Sequence, residues 1–229
     1  MRNRAQLPLP VAAAAALVAP EIPASKLGVS RHARLSRPER ELYFSILRRF
    51  ATAGRPSRSE MSALARQVGL EDAQALDTLA REDLFHLGGD GEISVASPFS
   101  GLPTAHRVRF PNGHEVFAMC AIDALGIAPI LGKRIEIASC DPLTSEEIQV
   151  ALEPGGEGHW QPEKAVLVCG ASGGGESCSS CCPVLNFFAS MDNATSWLPS
   201  HADVRGDVIS MGEAIAGGRV VFGDVLKEV

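Results

Sequence analysis

The sequence predicts an α+β chain in which a winged-helix-like module of three helices precedes a mixed or antiparallel sheet domain with flanking helices. Three observations carry this expectation. Apolar residues recur at helical spacing between residues 36 and 83, whereas short apolar runs broken by glycine and proline take over from His106. With 45% hydrophobic side chains in 229 residues, the chain can also bury the core of one large domain or two modest ones. The expected divisions are an N-terminal extension over 1–35, the helical module over 36–100 and the sheet domain over 101–229.

The extension opens with Arg2 and Arg4 ahead of an apolar run over 7–20, a pattern that imitates a secretory signal. Pro8 and Pro10 interrupt the run, and its alanine-rich part is too short for a membrane span of about 20 residues. It reads as a mobile extension or a short docking helix, with export as the alternative.

The first helix is announced by Ser36 and Glu39, spaced as a capping box, with Leu42, Tyr43, Ile46, Leu47 and Phe50 along one face. Gly54 and Pro56 break the chain. Ser57 and Glu60 then repeat the capping pattern for a second helix carrying Met61, Leu64 and Val68, ended by Gly69. A third helix over 71–83 turns Leu76 and Leu79 inward, and the glycine-rich turn over 88–91 leads into a short strand through Ile93 and Val95.

Such a shape invites a DNA-binding reading, since residues 31–70 hold nine arginines against three acidic residues. The helix that would enter the groove argues against it. Glu71, Asp72, Asp77, Glu82 and Asp83 face Arg81 alone, which would set net negative charge against phosphates. The module reads instead as a helical unit that packs on or covers the domain that follows. A formal charge of −6 likewise gives no global attraction to nucleic acid or to an anionic membrane, and favours a small-molecule partner.

In the second half, strands are expected over 107–110, 134–137, 148–152 and 165–169. Helices are expected over 115–125, stopped by Gly126 and Pro129, and over 192–198. The glycine-rich stretch 170–175 is not followed by Gly-Lys-Ser/Thr, so it fails as a phosphate cradle and reads as a mobile loop.

The chemistry-bearing residues are thiols. Six cysteines are too few for a disulfide scaffold, and Cys178, Cys181 and Cys182 fall within five positions, a pattern suited to thiol chemistry in a reducing cytoplasm. Cys120 and Asp123 lie three apart in the helix expected over 115–125, which puts a thiol and a carboxyl on one face. Burial and a neighbouring thiolate would raise that carboxyl's pKa and let it hold a proton at neutral pH. An isolated Cys-x-x-Asp is nevertheless more often ordinary core than a site. The Cys178, Cys181 and Cys182 cluster joins a polar loop to the apolar segment 183–189, where soft sulfur ligands select a soft metal. A structural zinc site is the competing account, yet the second ligand pair or spaced His pair it needs is missing, and His159 and His201 are poorly placed. Cys140, in a turn-like stretch, and Cys169, closing an apolar strand, read as structural. His114 reads as helix-start packing or as exposed rather than as a ligand-orienting group.

Taken together, the segments over 36–226 resemble the alkylmercury lyases, the organomercurial-cleaving enzymes of bacterial mercury resistance. The likeness rests on Cys120-Ala121-Ile122-Asp123-Ala124-Leu125, on Leu131-Gly132-Lys133 leading to the Cys140 turn, and on the stretch from Cys182 to Phe187-Phe188-Ala189-Ser190. Trp197 and Gly212-Glu213-Ala214, at a C-terminal helix start, extend it. The resemblance implies catalytic and mercury-binding roles for Cys120, Asp123 and Cys182; Cys181 and Cys178 are extra thiols outside the family pattern, read here as accessory. Cys182 is preferred to Cys181 because four residues separate it from Phe187, as the family pattern requires. The chain departs from that pattern at Met119, where an aromatic residue is frequent, and at Pro183; these departures bear on substrate range and metal release. The resemblance also makes 101–229 the catalytic domain and implies that the helical module does not bind DNA.

On this reading Cys120 captures the organomercurial, Asp123 moves a thiol proton to the leaving carbon and Cys182 completes the coordination. No organic cofactor is expected. Small cytosolic thiols, or a mercuric reductase, would accept the Hg(II). Two other classes stand beside it: a metal-responsive transcriptional regulator working through the helical module, and a thiol-based metal-binding or carrier protein without lyase activity.

Overall fold

The computed structural model describes residues 34–172 and 181–222. The extension expected over 1–35 lies outside them except for its last two residues, as do Cys178 and positions 173–175 of the glycine-rich stretch.

Three helices come first: α1 (Arg37–Ala53), α2 (Arg58–Gln67) and α3 (Asp72–Arg81). The expected capping pairs start the first two. Ser36 N donates to the Glu39 carboxylate at 2.7 Å, and Ser57 N donates to Glu60 at 2.8 Å while Ser57 Oγ accepts from Glu60 N at 3.3 Å. Gly54, at φ 81, ends α1 where a side chain would be strained. Leu42, Tyr43, Ile46, Leu47 and Phe50 all bury, as their spacing requires.

An eight-stranded sheet follows, built from β1 (Phe85–Leu87), β2 (Ile93–Ala96), β3 (Phe99–Ser100), β4 (Arg107–Arg109), β5 (Glu115–Ala118), β6 (Ile135–Cys140), β7 (Glu147–Leu152) and β8 (Gly158–Gln161). Its order is β1-β2-β3-β5-β4-β6-β7-β8, with every pairing antiparallel. The sheet is continuous past residue 100, because β3 pairs with β5 and sets Phe99 opposite Ala118. Phe99 in turn stacks on Phe50 of α1, ring centroids 5.2 Å apart, so the helices and the sheet share one core.

A second, three-stranded antiparallel sheet places β9 (Val166–Ser172) between β10 (Asn186–Phe188) and β11 (Val204–Ser210). Gly170 and Gly206 face each other in the β9–β11 register, where a Cβ on Gly206 would come within 2.3 Å of the Cys169 carbonyl oxygen. The first residues of the stretch expected to be a loop over 170–175 are therefore strand, with glycine serving close approach of two backbones. Helix α5 (Met191–Trp197) flanks this sheet, burying Ala194 and Trp197.

The helix expected over 115–125 is corrected. Glu115–Ala118 is strand, paired on both sides by β3 and β4, and helix α4 spans Ala121–Leu131. Neither Gly126 nor Pro129 stops α4, which ends at Gly132 in the left-handed conformation with φ 62. Its buried residues cover every side, and it packs against α6 (Met211–Phe222). Gly126 belongs to that crossing: a Cβ there would sit 2.0 Å from Phe222 Cδ2. Local breaker propensity yields to packing.

Candidate active site

Cys120 is not within a helix but is the residue that caps one. Its extended backbone, φ −154 and ψ 179, stands at the N-cap of α4, and its sulfur accepts from Asp123 N at 3.4 Å. The Cys120 thiol donates to Asp123 Oδ2 at 2.9 Å. The three-residue spacing thus brings thiol and carboxyl together as N-cap and third helical residue, not as neighbours along a helix face.

Cys182 arrives from a turn 59 positions later. Val184 N and Leu185 N both donate to Cys181 O, at 2.9 and 3.1 Å, folding the chain back, and Leu185 O accepts from Ala121 N at 2.9 Å. The turn is therefore joined by main chain to the first residue of α4. Cys182 Sγ lies 3.8 Å from Asp123 Oδ2, and one ligand atom from each of Cys120, Asp123 and Cys182 falls within 4.8 Å of the others. Cys120 and Asp123 are 1% and 7% exposed, while Cys182 is half-buried and the most exposed of the three.

Burial pushes the Cys120 thiol well above its ordinary value, reinforced by the Cys182 thiol and the Asp123 charge. Its hydrogen bond with Cys120 lowers the Cys182 value, but burial and the charges of Asp123, Cys181 and Asp83 outweigh this and leave it raised. Both sulfurs therefore carry protons at neutral pH. A pair of thiols with a carboxylate between them suits a soft metal ion, with Asp123 placed to receive a proton as sulfur takes up the metal.

Among the described residues, the remaining sequence candidates lie outside this three-ligand cluster. Cys181 and Cys169 are buried in the main core, and burial pushes Cys169 up to about 12. Cys140 is exposed at the end of β6. His114 precedes β5, its ring 3.0 Å from Phe50 O, and His201 stacks on Trp197 at 3.7 Å. His159 is exposed on β8.

Three buried or half-buried polar residues are not singled out by the sequence, and the first of them touches the site. Ser97 reaches Asp123 Oδ1 at 3.5 Å. His106, 3% exposed, is 3.0 Å from Ser139 Oγ through Nδ1 and edge-on to Phe187. Asp141 accepts from Leu143 N and Thr144 N on one oxygen and from Ala189 N and Asn193 Nδ2 on the other, all between 2.7 and 3.2 Å. It thereby ties the β6–β7 turn to the chain leaving β10.

The chain is also similar to known proteins. The chain is 29% identical over 121 residues to the alkylmercury lyase of Bacillus cereus, covering 52% of this chain and 54% of that protein. It is 28% identical over 150 residues to that of Staphylococcus epidermidis, covering 65% and 66%. The chain thus spans between about half and two thirds of these relatives' own length. Its fold matches the crystal structure of the mercury-bound form of MerB2 with a TM-score of 0.71 at 20% identity, covering 88% of this chain and 98% of that one. The alkylmercury lyase (MerB) family model matches residues 99–223, more than half of the 229, and the chain belongs to the alkylmercury lyase family.

Proposed function

We propose that this chain is an organomercurial lyase that cleaves the carbon–mercury bond of alkyl- and arylmercury compounds by protonolysis, with Cys120, Asp123 and Cys182 as catalytic and mercury-binding residues. The observation that carries the reading is the convergence of two sulfurs and a carboxylate oxygen within 4.8 Å, with Cys182 reaching Asp123 from 59 positions away. Family membership supplies the reaction class.

Mercury is the substrate's metal. Cys182, the more exposed of the two sulfurs, makes first contact with R–Hg⁺ in this reading, whereas the sequence reading has Cys120 bind first. Cys120 then adds, and its proton passes to Asp123 Oδ2 over the existing 2.9 Å hydrogen bond. Two sulfur donors enrich the carbon in electron density, and Asp123 delivers the proton to it. The balance is R–Hg⁺ plus two thiols giving R–H, a neutral bis-thiolate Hg(II) and one proton to solvent. No organic cofactor enters.

Small thiols, or a mercuric reductase, then remove Hg(II), which makes the chemistry a detoxification step in the cytoplasm. Among the described residues no helix is long and apolar enough to cross a membrane. Residues 36–100 act in this reading as a module packed on a catalytic domain over 101–229, with no nucleic-acid contact; Cys181 and Cys178 are accessory thiols.

The test is chromatography of benzene released from phenylmercury with excess thiol present. Wild type should release it. Asp123→Ala should still bind the organomercurial while release falls by on the order of 10² to 10⁴. Binding without release by the wild type would leave a metal carrier, and normal turnover by Asp123→Ala would remove the proton-transfer role.

A further inference from the structure

We infer that Ser97 is a positioning residue through which the N-terminal helices orient the Asp123 carboxylate; the inference rests on the lyase reading above. Ser97 lies in the two-residue link between β2 and β3, and that link is fastened on both sides. On the helical side, Ser97 N donates to Leu84 O at 2.9 Å, and its carbonyl accepts from the hydroxyl of Tyr43, a fully buried residue of α1. On the site side, Ser97 Oγ donates to Asp123 Oδ1 at 3.5 Å, and Pro98 O accepts from Met119 N at 3.0 Å, one residue before Cys120.

The two carboxylate oxygens are thereby given different tasks. Oδ1 faces the Ser97 hydroxyl, and Oδ2 faces both sulfurs, at 2.9 and 3.8 Å. The terminal torsion of an aspartate is broad, so a hydrogen bond to one oxygen restricts the rotations that would take the other off the sulfurs. A hydroxyl held by two main-chain contacts to the helical module narrows that range. Proton transfer depends steeply on such alignment, whereas metal capture by the two sulfurs does not. The helical module would thus serve the chemistry by fixing one torsion, in addition to sharing a core with the sheet.

The experiment compares full-length wild type, Ser97→Ala, Ser97→Thr and Tyr43→Phe for benzene release from phenylmercury, with Hg(II) stoichiometry and thermal melting measured alongside. Ser97→Ala should lower kcat about tenfold with KM and Hg(II) stoichiometry unchanged. Ser97→Thr, which keeps the hydroxyl at a half-buried position, should restore most of it. Tyr43→Phe, which loosens the link without touching its side chain, should lower kcat by a smaller factor. An active wild type with an unaffected Ser97→Ala overturns the inference, as does a loss shared between kcat and KM that Thr does not restore. If Ser97→Ala fails to fold, unchanged kcat in Tyr43→Phe overturns it. A wild type that binds phenylmercury and releases no benzene instead overturns the lyase reading.

Discussion

Two buried aspartates, 18 residues apart in sequence, show how the donors around a carboxyl divide structure from chemistry. Asp141 is met by four nitrogen donors, two on each oxygen, at 2.7 to 3.2 Å. Burial pushes its carboxyl up, but the hydrogen bonds from Asn193, Ala189, Leu143 and Thr144 outweigh it and hold the pKa below the ordinary value. Asp123 is met at Oδ2 by two sulfurs, the nearer at 2.9 Å. Amide N–H groups keep their protons throughout the working pH range; thiols surrender theirs when a soft metal arrives. The first aspartate is therefore a fastening, and the second can act as a carrier.

The largest effect that separates them is the loss of hydrocarbon release in Asp123→Ala, expected without a matching loss of folding stability. Asp141→Asn should invert that result. Disrupting a buried, fully bonded carboxylate should cost about 3 kcal/mol in urea unfolding, with kcat per folded molecule close to wild type. Because the folded pKa of Asp141 lies below its unfolded value, near 3.9, its contribution is complete above the unfolded value and is lost as pH falls through the folded one. Acid unfolding of the variant should lack that component.

His106 gives a third buried titratable group, on the structural side of the comparison. Burial lowers its pKa from 6.5 to about 4, against a smaller opposing hydrogen bond with Asn186. The folded form then binds fewer protons than the unfolded chain between those values, so its stability is full above 6.5 and declines as pH falls towards 4. The wild type should lose about 2 kcal/mol between pH 7.5 and pH 5 from this group, and His106→Gln should show a flatter profile in the same urea titration. An equal slope in both would remove His106 from the account. The smallest effect is expected beside Asp141 itself: Cys140→Ser, at an exposed thiol, should change neither benzene release nor stability by more than about 0.5 kcal/mol.

Much of this is legible in the sequence. The capping pairs Ser36/Glu39 and Ser57/Glu60 signal helix starts because their bonds are local, and the runs over 148–152 and 165–169 signal strands because they are apolar on a scale of a few residues. The strand over Glu115–Ala118 is hidden in the sequence for a physical reason. Val116 and Ala118 lie in an apolar stretch that continues into α4, and the boundary is a cysteine, which is not among the usual capping residues. Spacing pairs Cys120 with Asp123 but as neighbours on a helix face, which is not the observed geometry, and the approach of Cys182 follows only from the family resemblance. The donors on Asp141 divide in the same way. Those from Leu143 and Thr144 form a local turn that an Asp-Pro sequence announces, but those from Ala189 and Asn193 come from 48 and 52 positions away. No spacing rule reaches that far. Gly126 and Pro129 look like stops until the partner helix that needs a missing Cβ is known.

The hydrogen bond from Ala121 N to Leu185 O has one more implication. The opening position of a helix is where proline is ordinarily welcome, since its amide has no partner inside the helix. Here that amide is the hinge pin between the two jaws that carry sulfur. At this point the two are tied by peptide groups, so the tie itself tolerates side-chain replacement at Ala121 and Leu185 and is closed to the one residue that helix rules would otherwise recommend.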